Sequence, residues 1–209
     1  MRVPILITLL LLALTDVAQG RDFLPQDHGL RYVGYEGRMP VKVEITLRER
    51  LDGELEYTRW VMPRGWARWF RNASRSCSTL VYEDELLQPT GYDAGSGPKP
   101  PPADLPRGTL DELAVLLRAR ADIARGLRRA EYPVWRDDGS RETWVLEVMG
   151  PETVRTPDGD YQSLKFRLGT PSEWLEGWSA PLLVFHFVKL VHWRGDQKVS
   201  ELRLDEKQL

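Results

Sequence analysis

Only one stretch of this chain, Thr109 to Gly126 (TLDELAVLLRARADIARG), carries a sustained helical pattern, and that scarcity decides the fold class. Leu110, Leu113, Ala114, Leu117, Ala121 and Ala124 recur at steps of three and four, which predicts one buried apolar stripe. Thr109 and Glu112 have the spacing of a capping box, and Asp111 adds an acid at the positive end of the helix. Gly126 stands where a left-handed stop is wanted.

Elsewhere the pattern has period two. Val41, Val43, Ile45 and Leu47 alternate with Lys42, Glu44, Thr46 and Arg48, and Asp52-Gly53 turns the chain onto Leu55, Tyr57, Arg59 and Val61. A turn at Pro63-Arg64-Gly65 predicts a further strand over 66–71, with Met62 opposite Trp66 and Trp60 opposite Arg68. Another strand is expected over 77–83. Residues 91–108 (GYDAGSGPKPPPADLPRG) are a proline- and glycine-rich crossover. Beyond the helix, 131–135 turns at Asp137-Asp138-Gly139 onto Trp144, Leu146 and Val148, and Thr156-Pro157-Asp158-Gly159 forms the clearest hairpin turn. Residues 171–181 have no clean period. Residues 182–193 run almost continuously apolar and predict a central strand, followed by a turn at Arg194-Gly195-Asp196. The expected fold is therefore mainly β: a curved antiparallel sheet or open barrel of about nine to eleven strands with one main α-helix packed against its concave side.

The N-terminus bounds the compartment. Arg2 precedes a run of about ten apolar residues, and Ala18-Gln19-Gly20 closes it in small-residue fashion, the pattern of a cleaved secretory signal peptide. The run is shorter than the roughly twenty residues that span a bilayer, so no membrane span is expected after cleavage. Residues 1–20 are read as signal peptide, cut after Gly20 or Ala18, and 21–209 as one β-rich domain whose halves are joined by 91–108. The destination is periplasmic. Cys77 is the single cysteine, so no intrachain disulfide is available and the fold must stand on packing. A net charge of −2 gives no overall electrostatic case for nucleic acid or an anionic membrane.

Chemistry is sparse. The acids fall at turns (Asp52, Asp137, Asp138, Asp158, Asp196) or on alternating faces, only three histidines are present, and no nucleophile elbow, zinc-protease, P-loop or paired-cysteine motif occurs. His186 and His192 share parity but lie roughly 20 Å apart along a strand, too far for one metal. No catalytic residue, cofactor or metal site is expected, which leans away from an enzyme. The candidate ligand-binding residues are Trp60, Met62, Trp66 and Phe70, which the hairpin would place on one face, as core or as the wall of a hollow.

Leu105-Pro106-Arg107-Gly108 with 109–118, Leu146-Glu147-Val148 through Gly150-Pro151-Glu152-Thr153-Val154, Thr156-Pro157-Asp158-Gly159 with Leu164-Lys165-Phe166, and Glu201-Leu202-Arg203-Leu204 resemble the uncharacterised bacterial family called domain of unknown function 3108, over roughly Tyr35 to Leu204. The resemblance implies an exported protein of a Gram-negative envelope and brings no catalytic residues. Three functions follow in order: a non-enzymatic carrier holding an apolar ligand (a lipid, an acyl chain or a lipoprotein tail) in a curved-sheet cavity; a protein-protein interaction or assembly module of the envelope; and a hydrolase of envelope polymers.

Overall fold

A computed structural model of the chain describes residues 26–83 and 86–209, and the expected signal peptide lies outside them. The described strands are β1 (His28–Glu36), β2 (Met39–Glu49), β3 (Leu55–Pro63), β4 (Ser74–Glu83), β5 (Leu86–Asp93), β6 (Leu110–Asp111), β7 (Arg129–Trp135), β8 (Arg141–Thr156), β9 (Gly159–Gly169), β10 (Glu173–Ala180), β11 (His186–Arg194) and β12 (Gln197–Gln208), with helix α1 (Ala114–Ala124) between β6 and β7. They form one twelve-stranded sheet in the order β5-β4-β3-β2-β1-β12-β11-β10-β9-β8-β7-β6. Each hairpin pairs with the next, and β1 pairs with β12 in the middle of the sheet. All neighbours are antiparallel except β6 and β7.

Coiling brings the two edges of the sheet together, and side chains bridge them. Ser78 on β4 donates to the Asp111 carboxylate on β6, Tyr92 on β5 donates to Glu112 at 3.2 Å, and the Tyr92 and Trp135 rings meet edge-on at 6.0 Å. The crossover 94–109 is tied down along this seam: Lys99 donates to Asp137 at 2.7 Å and Arg141 pairs with Asp104 at 2.6 Å. The result is a nearly closed barrel with its inward-facing aliphatics, among them Val43, Leu47, Leu80, Leu146, Leu168 and Leu204, almost completely excluded from solvent.

Helix α1 fills the hollow, which changes what its sequence must supply. A helix lying on a sheet needs one apolar stripe, but inside a barrel nearly every face meets protein, and Ala114 to Leu117 and Ala119 to Ile123 are all buried, Arg120 and Asp122 included. The helix also starts later than its periodicity predicts. Leu110 and Asp111 pair with Val134 and Trp135 in the short parallel strand β6, and the Thr109 hydroxyl donates to the Pro106 carbonyl and caps nothing. Asp111 caps in its place, accepting from the amides of Leu113 and Ala114 at 2.8 Å each. At the far end Gly126 takes φ +83, its amide donates to Ile123 and that of Leu127 to Asp122, the two hydrogen bonds of a Schellman stop.

Two expected strands are interrupted. After β3 the left-handed Gly65 (φ +53) turns the chain into a short 3-10 helix, Gly65–Trp69, so the strand expected over 66–71 does not form. Trp60 instead stands opposite Glu44 and Arg75 in register. The apolar run 182–193 is likewise broken. Pro181–Leu183 makes a 3-10 turn, Val184 and Phe185 both adopt positive φ (49 and 61), and β11 begins only at His186.

Candidate functional site

The hairpin registers give the barrel two distinct ends. At one, the turns after β1, β9 and β11 and the β3–β4 connection gather: the Gly37 amide donates to Val199, Arg64 to Pro40 and Gly195 to Ser172. The helix N-terminus points the same way, because β6 runs parallel to β7 towards the 137–140 turn. Below this end lies a cavity of about 330 Å³. That is the lower part of the range for sites that enclose a small organic ligand.

Alternation along the strands dictates its walls. Ile45 of β2, Leu168 of β9, Leu190 of β11 and Leu202 of β12 project inward, the helix contributes Leu113 and Leu116, and Trp144 and Trp174 add aromatic surface. The rim is charged: Arg59, Arg136 and Arg194 face Glu112 and Glu173, with His192 beside them. Arg136 binds Glu112 at 3.0 Å, Glu173 at 3.4 Å and Glu142 at 3.5 Å. Glu173 also receives His192 and Arg194, both at 2.9 Å, and Arg59 reaches Glu36 at 3.1 Å. Arg194 leaves 65% of its side chain in solvent, so the cavity reaches the surface past it.

Burial and partners set the two lining carboxylates apart. Burial raises Glu112, only partly offset by Arg136. Burial also raises Glu173, but Arg194, His192 and Arg136 outweigh it and hold the carboxyl below its ordinary value. Burial lowers His192 despite Glu173. The rim can therefore present ion-paired guanidinium and carboxylate groups to a polar head, beside walls that are largely apolar.

The four residues singled out from the sequence lie elsewhere. Arg59 and Val61 point inward, so Trp60 and Met62 share the outer face of β3, with Trp60 45% exposed. Trp66 and Phe70 are 53% and 77% exposed on the 3-10 turn and its exit, their rings edge-on at 6.0 Å. None of the four lines the cavity. The rim residues gave no motif because they come from different elements. The one local signal was a register: Glu173 sits opposite Arg194, and Leu175 opposite His192.

The opposite end is closed. The His28 and His186 rings meet at 4.4 Å, and Arg120 of the helix approaches His186 Nδ1 at 3.0 Å. Burial pulls His28 down to about 4; burial, with Arg120 and His28 adding to it, pulls His186 down to about 2. Burial lowers Arg120 to about 10, still cationic at neutral pH. Asp122 is held by Arg118 at 3.0 Å, Arg125 at 3.5 Å and the Tyr132 hydroxyl at 2.9 Å.

These features define a helix-plugged, nearly closed β-barrel with a ligand-sized hollow at one end. The chain belongs to the family described as Protein of unknown function (DUF3108), whose model matches residues 78–207. The match begins inside β4, later than the resemblance read from Tyr35. The fold is similar to a crystal structure of a β-barrel-like protein of domain of unknown function DUF1849 from Brucella abortus, with TM-score 0.52 and 8% identity over 87% of this chain and 97% of that one. A MucA/MucB complex structure from Pseudomonas aeruginosa is similar with TM-score 0.39 and 10% identity over 87% of this chain and 51% of that one, so this chain spans about half its length. No curated protein matches. Among the described residues no helix is long and apolar enough to cross a membrane.

Proposed function

We propose that this is an exported periplasmic envelope protein that holds an apolar ligand, such as a lipid, an acyl chain or a lipoprotein tail, in the hollow of the barrel. One observation carries the reading: the cavity of about 330 Å³ has a leucine- and tryptophan-lined floor beneath a charged rim open to solvent. Such a site matches an amphiphile, tail inward and head at the arginines. The cleaved N-terminal signal and the periplasmic location rest on residues 1–20. The test is displacement of a fluorescent acyl-chain probe, compared between wild type and Leu190→Trp, which fills the hollow. The reading expects probe binding by wild type and its loss in the variant, with the thermal transition retained. Equal binding by both would place the probe outside the hollow and contradict it.

Hydrolysis is a second reading with its own observation. Glu112 and Glu173 line one cavity and are pushed in opposite directions, as an acid and a base would be. Against it, the Arg136 guanidinium binds both carboxylates and occupies the space where a scissile bond would lie. Turnover of an envelope polymer that disappears in Glu112→Gln would establish hydrolysis and displace the carrier reading.

A further inference from the structure

A net charge of −2 conceals a strongly one-sided segment. From Tyr57 to Tyr82 the chain has no acidic residue and five arginines: Arg59, Arg64, Arg68, Arg71 and Arg75. The same segment holds the most exposed aromatic group among the described residues. Trp69 is 85% exposed, Phe70 77%, Trp66 53% and Trp60 45%.

These side chains are held outward by an anchored turn. Ala67, at its centre, is fully buried, its amide donates to the Arg64 carbonyl, and its own carbonyl accepts from the amides of Phe70 and Arg71. Burying Ala67 leaves Trp66, Arg68, Trp69 and Phe70 pointing to solvent around it. Among the described residues, neither Arg64 nor Arg68 meets a carboxylate; Arg68 reaches only the Pro63 carbonyl, at 3.4 Å. Exposed aromatics fixed beside unneutralised arginines make a surface whose two components suit the two layers of a lipid interface: rings at the headgroup level, guanidinium groups on the phosphates.

The turn sits at the end of the barrel where the cavity opens, and the Glu36 carboxylate joins the two, binding Arg71 of the turn at 2.5 Å and Arg59 of the cavity rim at 3.1 Å. We propose that the 64–71 turn, with Trp66, Trp69 and Phe70 as apolar anchors and Arg64 and Arg68 as phosphate contacts, docks the protein on the surface of a bilayer containing anionic phospholipid. The occupant is a lipid surface because the complementary charge required is a field of phosphates, not one carboxylate. Docking goes beyond the carrier reading and does not depend on the hollow being filled.

The test is flotation of the purified protein with vesicles of phosphatidylcholine alone or with about a third phosphatidylglycerol. Each variant has the same N-terminus as the wild type and differs from it only at the named positions. Wild type should bind the anionic vesicles and much less the neutral ones, with binding weakened by salt. Trp69→Ala/Phe70→Ala should lower the affinity by about a hundredfold or more, since two large apolar anchors are lost. Arg64→Gln/Arg68→Gln should lower it by roughly twentyfold on anionic vesicles only. Both should melt with the wild type. Wild-type tryptophan fluorescence should also be quenched by brominated phosphatidylglycerol, a readout that needs no variant. Absence of quenching, or flotation by the double variants equal to wild type, would overturn the proposal. Acyl-probe binding in Trp69→Ala/Phe70→Ala should stay unchanged, so failure of docking and failure of the carrier reading are separable.

Discussion

The two ends of the barrel use the same residue types for opposite purposes. At the closed end Arg120, Asp122, His28 and His186 are buried, and the histidines are neutral because burial outweighs the Gln26 carbonyl and Asp27 at His28 and is reinforced by Arg120 at His186. At the open end Arg136, Glu112, Glu173 and Arg194 form a half-solvated ion-pair network, with His192 beside it, next to an apolar hollow. The helix is thus a structural plug at its C-terminal half and the wall of a cavity at its N-terminal half.

The largest effect belongs to the plug. Asp122→Ala removes the shared partner of Arg118, Arg125 and Tyr132 and should cost about 3 to 5 kcal/mol in urea unfolding, and Leu117→Ala about 2 to 5 kcal/mol. Acid should act at the same end. In the unfolded chain both histidines take a proton near their ordinary value of 6.5, whereas in the fold His28 resists until about 4 and His186 until about 2. Between those values the unfolded state binds more protons, so stability is full above pH 6.5 and falls as pH drops towards 4, at up to about 1.4 kcal/mol per unit for each histidine. Asp111 pulls the other way: burial raises it to about 6, so its contribution grows as pH falls from 6 towards 3.8. Unfolding midpoints measured from pH 7 to 5 should therefore decline overall, and more steeply in Asp111→Asn if the fold tolerates that change.

The open end should respond less. Arg136→Met leaves three carboxylates without their common partner, at a cost of about 1 to 2 kcal/mol because the site is only partly buried, and Glu112 should titrate still higher by NMR. The smallest effect is expected outside both ends. Trp66→Ala should change stability by less than about 0.5 kcal/mol, since half its surface is already wet. A large loss there would make the outer turn part of the core.

Much of the β-architecture was legible because hairpin turns and alternation are local. Gly126, Asp158-Gly159 and the Ile45 face could be read directly. What failed depended on tertiary contact. The helix start moved because Leu110 and Asp111 found a strand partner that is distant in sequence, and the single stripe became all-round burial because the helix entered a hollow. β10 had no readable period because both its faces pack: Gly177 lies where a Cβ would meet the Phe166 ring at 2.1 Å, and Trp178 is buried against Lys165 and Lys189. The site escaped notice for the same reason. The tryptophans at 60 and 66 were visible but lie outside the cavity, which is assembled from single inward positions on many strands.

Native mass spectrometry of the protein purified from cells that produce it distinguishes a filled hollow from an empty one. The carrier account predicts a mass above that of the polypeptide, lost after solvent extraction, restored on incubation with an extract of envelope lipids and absent in Leu190→Trp. A bare polypeptide mass that takes up nothing from that extract would contradict it.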